Sequence, residues 1–458
     1  MMIGFIISLL LGCWLVGKLP FFVNSKLKPL SLRIFFIVKV GAGGLLLFIY
    51  SHYYPKSSSD MYNYYKDGNI MHSALKENPL DFFSMLSGIG SERAHLSEYY
   101  NKMSSWNKPW ISNYYNDNKT VIRLNAAIRS FSGDNILVHL VVFNFISFIG
   151  LICFFRLISE FVSRRKKILI AFITFLTPSV LIWGSGIMKE TVLIFSLGTT
   201  LWIIYYTLFK SFKWYYLLFL FITFPLLFIT KVYVFLALVP ALVWLCFYRF
   251  YPQKKWLSFL IIHFLIALFA FNFYLINEKF DLAQMISRKQ GDFYNVITYL
   301  SKSGSAVEIN YLDGTFWSIL KTVPQGLYHT FCRPHIFDSH NLLSLIAALE
   351  NTFINIVLIL SILFTRIRNF KPVIVMFSIS LVLLLFSIIG ITTPVLGALT
   401  RYKIPGLLFL LSVIIIIFDA EKFKIFLSKF KIKKIISKFD VFLTKITDLM
   451  FINVSPIK

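Results

Sequence analysis

Residues 372–391 read PVIVMFSISLVLLLFSIIGI, twenty consecutive residues without an Asp, Glu, Lys or Arg. A helix of that length rises about 30 Å, which is enough to cross the hydrocarbon core of a bilayer. The run is apolar on every face, whereas a strand of a transmembrane barrel alternates apolar and polar residues. The stretch therefore predicts a transmembrane helix.

Comparable apolar runs recur along the whole chain and predict about eleven transmembrane helices. The composition agrees, because 57% of the 458 residues are hydrophobic, 15% are charged and the mean hydropathy is +0.72. The predicted fold class is all-α, a polytopic integral membrane protein. The predicted helices cover residues 1–22, 34–52, 135–156, 168–187, 191–209, 214–230, 232–248, 257–276, 343–365, 372–391 and 404–418.

Basic residues occupy every second connector between these helices. Loops rich in Lys and Arg stay in the cytoplasm, so the N-terminus is predicted outside and the C-terminus in the cytoplasm. The predicted location is a plasma membrane or bacterial inner membrane, crossed many times. The basic residues concerned are Lys26, Lys28, Arg33, Arg164, Arg165, Lys166, Lys167, Lys210, Lys213, Arg249, Lys254, Lys255, Arg366, Arg368 and Lys371.

The formal charge of +25 does not indicate a nucleic-acid partner, because most of the basic residues flank apolar spans. Residues 419–458 interleave lysines with Phe and Ile. That pattern predicts a basic amphipathic cytoplasmic tail that lies on anionic lipids of the inner leaflet.

Residues 1–418 are predicted to form a single transmembrane domain with two long connectors, 53–134 and 277–342. Both connectors fall on the predicted outer side. Long structureless loops are uncommon in compact domains, so short helices are expected within them, for example near 79–86 and 121–131.

Charged residues interrupt the apolar pattern at a few outer positions, and these are the candidates for chemistry. Asp60 opens the first long connector, where a carboxylate beside apolar surface can act as a general base. Lys189 and Glu190 stand between two apolar runs, and Lys231 lies at a turn with almost no polar surroundings. Ionisable groups so close to hydrocarbon usually pair with one another or serve a site. Lys231 is alternatively a lysine that reaches out to the interface.

The second long connector and the last outer turn add further cations. Arg333 precedes a proline and is followed by His335, and Arg401 and Tyr402 precede the last helix. Arg binds phosphate oxygens through its planar fork. The predicted catalytic residues are Asp60 and Glu190, and the predicted donor-phosphate ligands are Lys189, Lys231, Arg333, His335, Arg401 and Tyr402.

Several cations at one membrane face suit a lipid-linked phosphate, whose tail stays in the bilayer while the cations hold the headgroup. The sequence contains no nucleotide-binding glycine loop, so the phosphate ester of the donor is the expected energy source. No cofactor is predicted. A divalent metal is not indicated, because His335 and His340 lack a third ligand at a suitable spacing.

The chain resembles the GT-C superfamily of membrane glycosyltransferases, which use polyprenyl-phosphate-linked sugars. The resemblance rests on Asp60 in the stretch 60–65, on the turn 183–190, and on Arg401, Tyr402 and Pro405. It implies transfer of sugar from a polyprenyl-phosphate-linked or polyprenyl-diphosphate-linked donor to a glycan or lipid acceptor of the cell envelope at the outer face. It also implies that Asp60 is the base.

Three alternatives remain open at the level of sequence, one of them a purely structural partner in an envelope complex. O-antigen polymerases and ligases are similar in having large outer loops rich in Arg and His, so a polymerase of lipid-linked repeat units is also consistent. In that case catalysis depends more on Arg333, His335 and Arg401. A transporter of lipid-linked oligosaccharides is the remaining alternative, although no repeated halves are visible in the sequence.

Overall fold

The computed structural model describes residues 2–52, 59–107, 116–299, 305–365, 372–428 and 444–452. Within these ranges the chain forms helices joined by turns and contains no β-strand, which confirms the predicted all-α class. The α-helices are α1 Met2–Lys18, α2 Pro20–Val23, α3 Pro29–His52, α4 Asp60–Glu77, α5 Pro79–Ser87, α6 Ser97–Lys102, α7 Asn118–Ser132, α8 Ile136–Ser159, α9 Arg164–Leu176, α10 Pro178–Trp183, α11 Lys189–Phe209, α12 Trp214–Thr230, α13 Val232–Phe250, α14 Lys255–Asn272, α15 Leu282–Tyr299, α16 Phe316–Cys332, α17 Leu342–Leu363, α18 Pro372–Thr392, α19 Leu396–Tyr402, α20 Ile404–Ile417 and α21 Ala420–Ser428.

Seven of the described helices are long and apolar enough to cross a membrane, so the chain is a multi-pass membrane protein. They become eight if α19 and α20, which meet at a bend of 60°, form one span. The apolar helices α1 and α12 are shorter, at 17 residues each. The predicted number of about eleven spans and the predicted orientation therefore stay predictions.

The helix predicted at 168–187 is wrong as a continuous element, because the chain breaks there twice. Pro178 restricts the preceding residue, and Thr177 has φ −58° and ψ 122°, outside the helical region. Helix α9 therefore ends at Leu176 and α10 begins at Pro178. A second break at residues 184–188 separates α10 from α11 and places Lys189 and Glu190 at a helix start.

The core of the bundle depends on close contact between α8 and α11. A methyl group added at Gly198 would stand 2.1 Å from the Gly150 carbonyl oxygen, so only glycine permits this approach. Small residues bring membrane helices together in this way, since lipid tails offer no hydrophobic drive for helix association.

The described part of the first long connector is folded against the bundle. It contains α5 and α7 close to the ranges predicted for short helices, and α4 packs along α7. Asp67 on α4 accepts hydrogen bonds from the backbone N–H groups of Ser104 at 2.9 Å and Ser105 at 2.7 Å. These hydrogen bonds attach the segment around Ser104 and Ser105 to α4.

The described segment 444–452 packs against the rest of the protein. The N–H of Lys28 donates to the Met450 carbonyl oxygen at 2.7 Å, and Phe451 is buried. Arg164 lies 3.7 Å from Asp448, which places this segment beside two basic connectors. The first part of the predicted tail forms helix α21. Several predicted lipid-facing lysines lie outside the described residues: Lys429, Lys431, Lys433, Lys434 and Lys438.

Candidate functional site

Six charged side chains from five separate segments meet at one end of the bundle. The three carboxylates each stand at a helix N-terminus, where the partial positive charge of the helix favours an anion. Asp60 begins α4, Asp117 precedes the first residue of α7, and Glu190 is the second residue of α11. The three cations are Lys189 on α11, Lys231 between α12 and α13, and Arg401 in the last turn of α19. These six residues are called the ion cluster below.

Arg401 joins two carboxylates that the sequence separates widely. Its Nη1 donates to Asp60 Oδ2 at 2.9 Å, and its Nη2 donates to Glu190 Oε2 at 2.9 Å. Its Nε lies 2.8 Å from Glu190 Oε1. The guanidinium fork thus faces Glu190 with two nitrogens and Asp60 with one, an arrangement that a lysine does not reproduce.

Asp117 bridges the two lysines of the cluster. Lys189 Nζ donates to Asp117 Oδ2 at 2.8 Å and to Asn118 Oδ1 at 3.0 Å. Lys231 Nζ lies 3.6 Å from the same Asp117 oxygen. Both lysines are buried, so their charges depend on this carboxylate for compensation.

Tyr64, which follows Asp60 on α4, forms a further hydrogen bond next to the ion cluster. Its hydroxyl donates to Asn118 Oδ1 at 2.8 Å. Burial, with the charge of Asp60 nearby, raises the pKa of the Tyr64 phenol well above its ordinary value. The hydroxyl therefore stays protonated and ties α4 to the beginning of α7.

Aromatic rings surround the cations. The Arg401 guanidinium carbon lies 5.8 Å from the centre of the Trp183 ring, and Lys231 Nζ lies 4.5 Å from the centre of the Tyr402 ring. Tyr402 also contacts Tyr233 and Phe293, with ring centres 5.9 Å and 6.1 Å apart. Ring faces attract cations electrostatically, so these contacts help to hold Arg401 and Lys231 in place. The rings also shield both cations from water.

The cluster differs in accessibility from one carboxylate to the next. The Asp60 side chain is 44% exposed, whereas the Glu190 side chain is 2% exposed. Asp117 is intermediate at 24%. Of the three, Asp60 has the widest open surface toward a substrate, and Glu190 has almost none.

Arg333 and His335 lie in a second group. His335 Nδ1 lies 3.1 Å from Asp338 Oδ2, and Arg333 Nε lies 3.9 Å from the same oxygen. The Arg333 and His335 side chains are 26% and 35% exposed. Among the described residues, no hydrogen bond or ion pair joins either side chain directly to Arg401.

Lys403 connects the second group to the ion cluster through the backbone. It follows Arg401 by two residues, and its Nζ donates to Asn351 Oδ1 at 2.6 Å and to the Arg333 carbonyl oxygen at 3.5 Å. Asn351 also donates to the Pro334 carbonyl oxygen at 3.3 Å. The segment that carries Arg333 is therefore fixed next to α19.

The turn that carries Lys189 and Glu190 rests on a buried lysine from α3. Lys39 Nζ donates to the Gly184 carbonyl oxygen at 2.5 Å and to Ser185 Oγ at 3.2 Å. A cation at the carbonyl end of α10 interacts favourably with the helix dipole. Within the part of the chain that the structure describes, no carboxylate lies within ion-pair distance of Lys39.

The structure brings together six of the eight predicted site residues: Asp60, Lys189, Glu190, Lys231, Arg401 and Tyr402. Sequence reasoning missed Asp117, which stands before the amphipathic stretch of α7 and carried the signal of a helix-start carboxylate. It also missed Tyr64 and Lys39, whose partners are distant in sequence.

Among the described residues, no group of three or more His, Cys, Asp or Glu side chains is placed to hold a metal ion. No protein-family model matches the chain, and neither a curated protein nor a solved structure is similar enough to support a comparison. The resemblance to the GT-C superfamily therefore stays a prediction from short motifs.

Proposed function

We propose that the chain is a membrane glycosyltransferase that transfers a sugar from a polyprenyl-phosphate-linked or polyprenyl-diphosphate-linked donor to a cell-envelope glycan or lipid. The observation that carries the proposal is the ion cluster, in which a half-exposed carboxylate, Asp60, stands on a buried arginine, Arg401. The acceptor needs a base, and the departing phosphate needs a cation. The ion cluster supplies the base, Asp60, and the cation, Arg401, and the two are directly hydrogen-bonded to each other.

The proposed topology has eleven spans with the ion cluster at the outer face. Helices α1 and α12, together with the broken pair α9 and α10, supply the spans beyond the eight that satisfy length and composition. The ion cluster lies where α11, α13 and α20 begin, whereas the basic connectors among the described residues lie at the opposite helix ends. The positive-inside rule then assigns the cluster to the outer side and the C-terminal segment to the cytoplasm. A bacterial inner membrane or a plasma membrane is the proposed location.

Asp60 is the proposed general base, because it combines exposure with a position beside Arg401. Glu190 is buried against Arg401, so in this proposal it positions the guanidinium rather than contacting a substrate. Lys189 and Lys231 are compensated by Asp117, and they hold α7, α11 and α13 in register around the site.

Arg333 and His335 are the proposed contacts for the rest of the donor headgroup, since both are partly exposed and face one carboxylate. Tyr402 packs its ring against Tyr233 and Phe293 and lies next to Lys231, so in this proposal it holds the ion cluster in position. The polyprenyl tail would stay in the bilayer against the exposed apolar faces of the helices, as a lipid-linked donor requires.

The polymerase of lipid-linked repeat units is the second candidate, and one observation favours it. Arg333 and His335 share Asp338 and are held beside α19 by Lys403, which gives a basic group independent of Asp60. In that reaction the loss of Arg333 is more damaging than the loss of Asp60.

The test is sugar transfer by the purified protein in nanodiscs, with a panel of radiolabelled polyprenyl-phosphate and polyprenyl-diphosphate sugars and envelope-lipid acceptors. Transfer from one of these donors supports the proposed function. Extension of a lipid-linked repeat unit, abolished by Arg333→Ala and retained by Asp60→Asn, would assign the polymerase. Absence of transfer from every donor, with movement of a fluorescent lipid-linked oligosaccharide across the bilayer, would replace both with transport.

A further inference from the structure

We propose that the donor phosphate and the Asp60 carboxylate exchange places on Arg401, so that Asp60 is the built-in counter-ion of an anion site. The inference rests on the proposed function and adds the event that frees the base. Its basis is the charge balance and the unequal burial of the ion cluster.

The described members of the cluster are electrically balanced. Three cations, Lys189, Lys231 and Arg401, face three carboxylates, Asp60, Asp117 and Glu190, which gives a formal sum of zero. Without the Asp60 charge the same members sum to +1. A buried group of this kind needs one anion at this place, because uncompensated buried charge is costly.

Asp60 is the carboxylate that can leave. Arg401 donates Nη2 to Glu190 and also has Nε within ion-pair distance of that carboxylate, whereas it donates Nη1 to Asp60. Glu190 is buried on α11, whereas the Asp60 side chain is 44% exposed at the first residue of α4. Rotation of this exposed side chain away from Arg401 would free Nη1, and a phosphate oxygen can accept a hydrogen bond from a guanidinium N–H at that position.

The exchange couples the charge on the base, Asp60, to the charge on the leaving phosphate. The acceptor oxygen forms a bond to the anomeric carbon, and the bond from that carbon to the phosphate oxygen breaks. The acceptor proton goes to Asp60, and the electron pair of the broken bond goes to the polyprenyl phosphate. One negative charge is lost at Asp60 as one is gained on the phosphate beside Arg401, so the charge of the site is conserved.

Binding of a polyprenyl monophosphate to purified protein in detergent, measured by thermophoresis, tests the exchange without any turnover. A carboxylate that occupies the same guanidinium opposes binding of a phosphate, so removing its charge should tighten binding about tenfold or more. We expect that gain in Asp60→Asn and in Asp60→Ala, each checked as a monodisperse peak. Asp134→Asn is the matched control, because Asp134 pairs with Arg129 outside the cluster.

Equal or weaker binding of the polyprenyl monophosphate by both Asp60 variants would overturn the exchange. A gain for inorganic phosphate without a gain for the polyprenyl monophosphate would overturn the assignment of a lipid ligand. Tighter binding in the Asp60 variants, with no sugar transfer by the wild type, would support the anion exchange and reject the transferase. Transfer by the wild type without tighter binding in the variants would retain the transferase and reject the exchange.

Discussion

Arg401 holds Glu190 along one edge of its guanidinium, with Nη2 2.9 Å from Oε2 and Nε 2.8 Å from Oε1, although 211 positions separate the two residues. The pair joins α19 to the beginning of α11 in a buried environment. It therefore acts both on the stability of the bundle and on the geometry of the site.

Replacing Glu190 with Gln should destabilise the protein by about 3–5 kcal/mol, because it leaves the buried Arg401 charge short of a carboxylate. Thermal unfolding in detergent measures the effect. Glu98→Gln is the control, since Glu98 lies in an exposed pair with Lys102. The double variant Glu190→Gln and Arg401→Gln should lose less stability than the two single losses added together. Strict additivity would show that the pair is not energetically coupled.

Lys39→Met should lower the unfolding temperature, because it removes the hydrogen bond that Lys39 donates to the Gly184 carbonyl oxygen, a loss of roughly 0.5–1.5 kcal/mol. Lys39→Arg should retain part of the bond. The matched control is Lys76→Met, a change at an exposed position on α4. An unfolding temperature unaffected by Lys39→Met would remove Lys39 from the support of the turn before α11.

Gly198→Ala should destabilise the contact between α8 and α11 by about 1–3 kcal/mol, because the new methyl group meets the Gly150 carbonyl oxygen. Gly44→Ala provides the control, since a methyl group at Gly44 meets nothing within 4 Å. Equal unfolding temperatures for the two variants would contradict the close packing described for α8 and α11.

Phe451→Ala should destabilise the folded protein by roughly 3–5 kcal/mol if the C-terminal segment contributes as a core element does. Phe451 is buried, whereas Leu449 in the same segment is 70% exposed. Leu449→Ala is therefore the control for a change in hydrophobicity alone. Equal stability of the two variants would contradict the packing of this segment against the bundle.

Much of the fold follows from the sequence, because a helix is the only structure that satisfies the backbone of a long apolar run in lipid. The break near Pro178 was also readable, since a proline restricts the residue before it, yet the continuous hydropathy of 168–187 concealed it. Hydropathy identifies a membrane-spanning segment but does not indicate where its helical backbone hydrogen bonds stop.

The candidate site was predictable in part for an electrostatic reason. Charges at the ends of apolar runs are costly unless they are paired, so Lys189, Glu190, Lys231 and Arg401 were visible as a group. The sequence did not show which cation meets which carboxylate, because those pairs join distant segments. Lys39 stayed hidden for the same reason, whereas Asp117 carried only the general signal of a carboxylate at a helix start.

The central claim is that Asp60 acts as the base of a sugar transfer, and the initial rate of transfer by the purified protein tests it most directly. Asp60→Asn should lower the rate by about 10²–10⁴-fold, the usual contribution of a positioned general base. Asp134→Asn should transfer at the wild-type rate. A wild-type rate in correctly folded Asp60→Asn would contradict the proposed role of Asp60 and of the ion cluster around it.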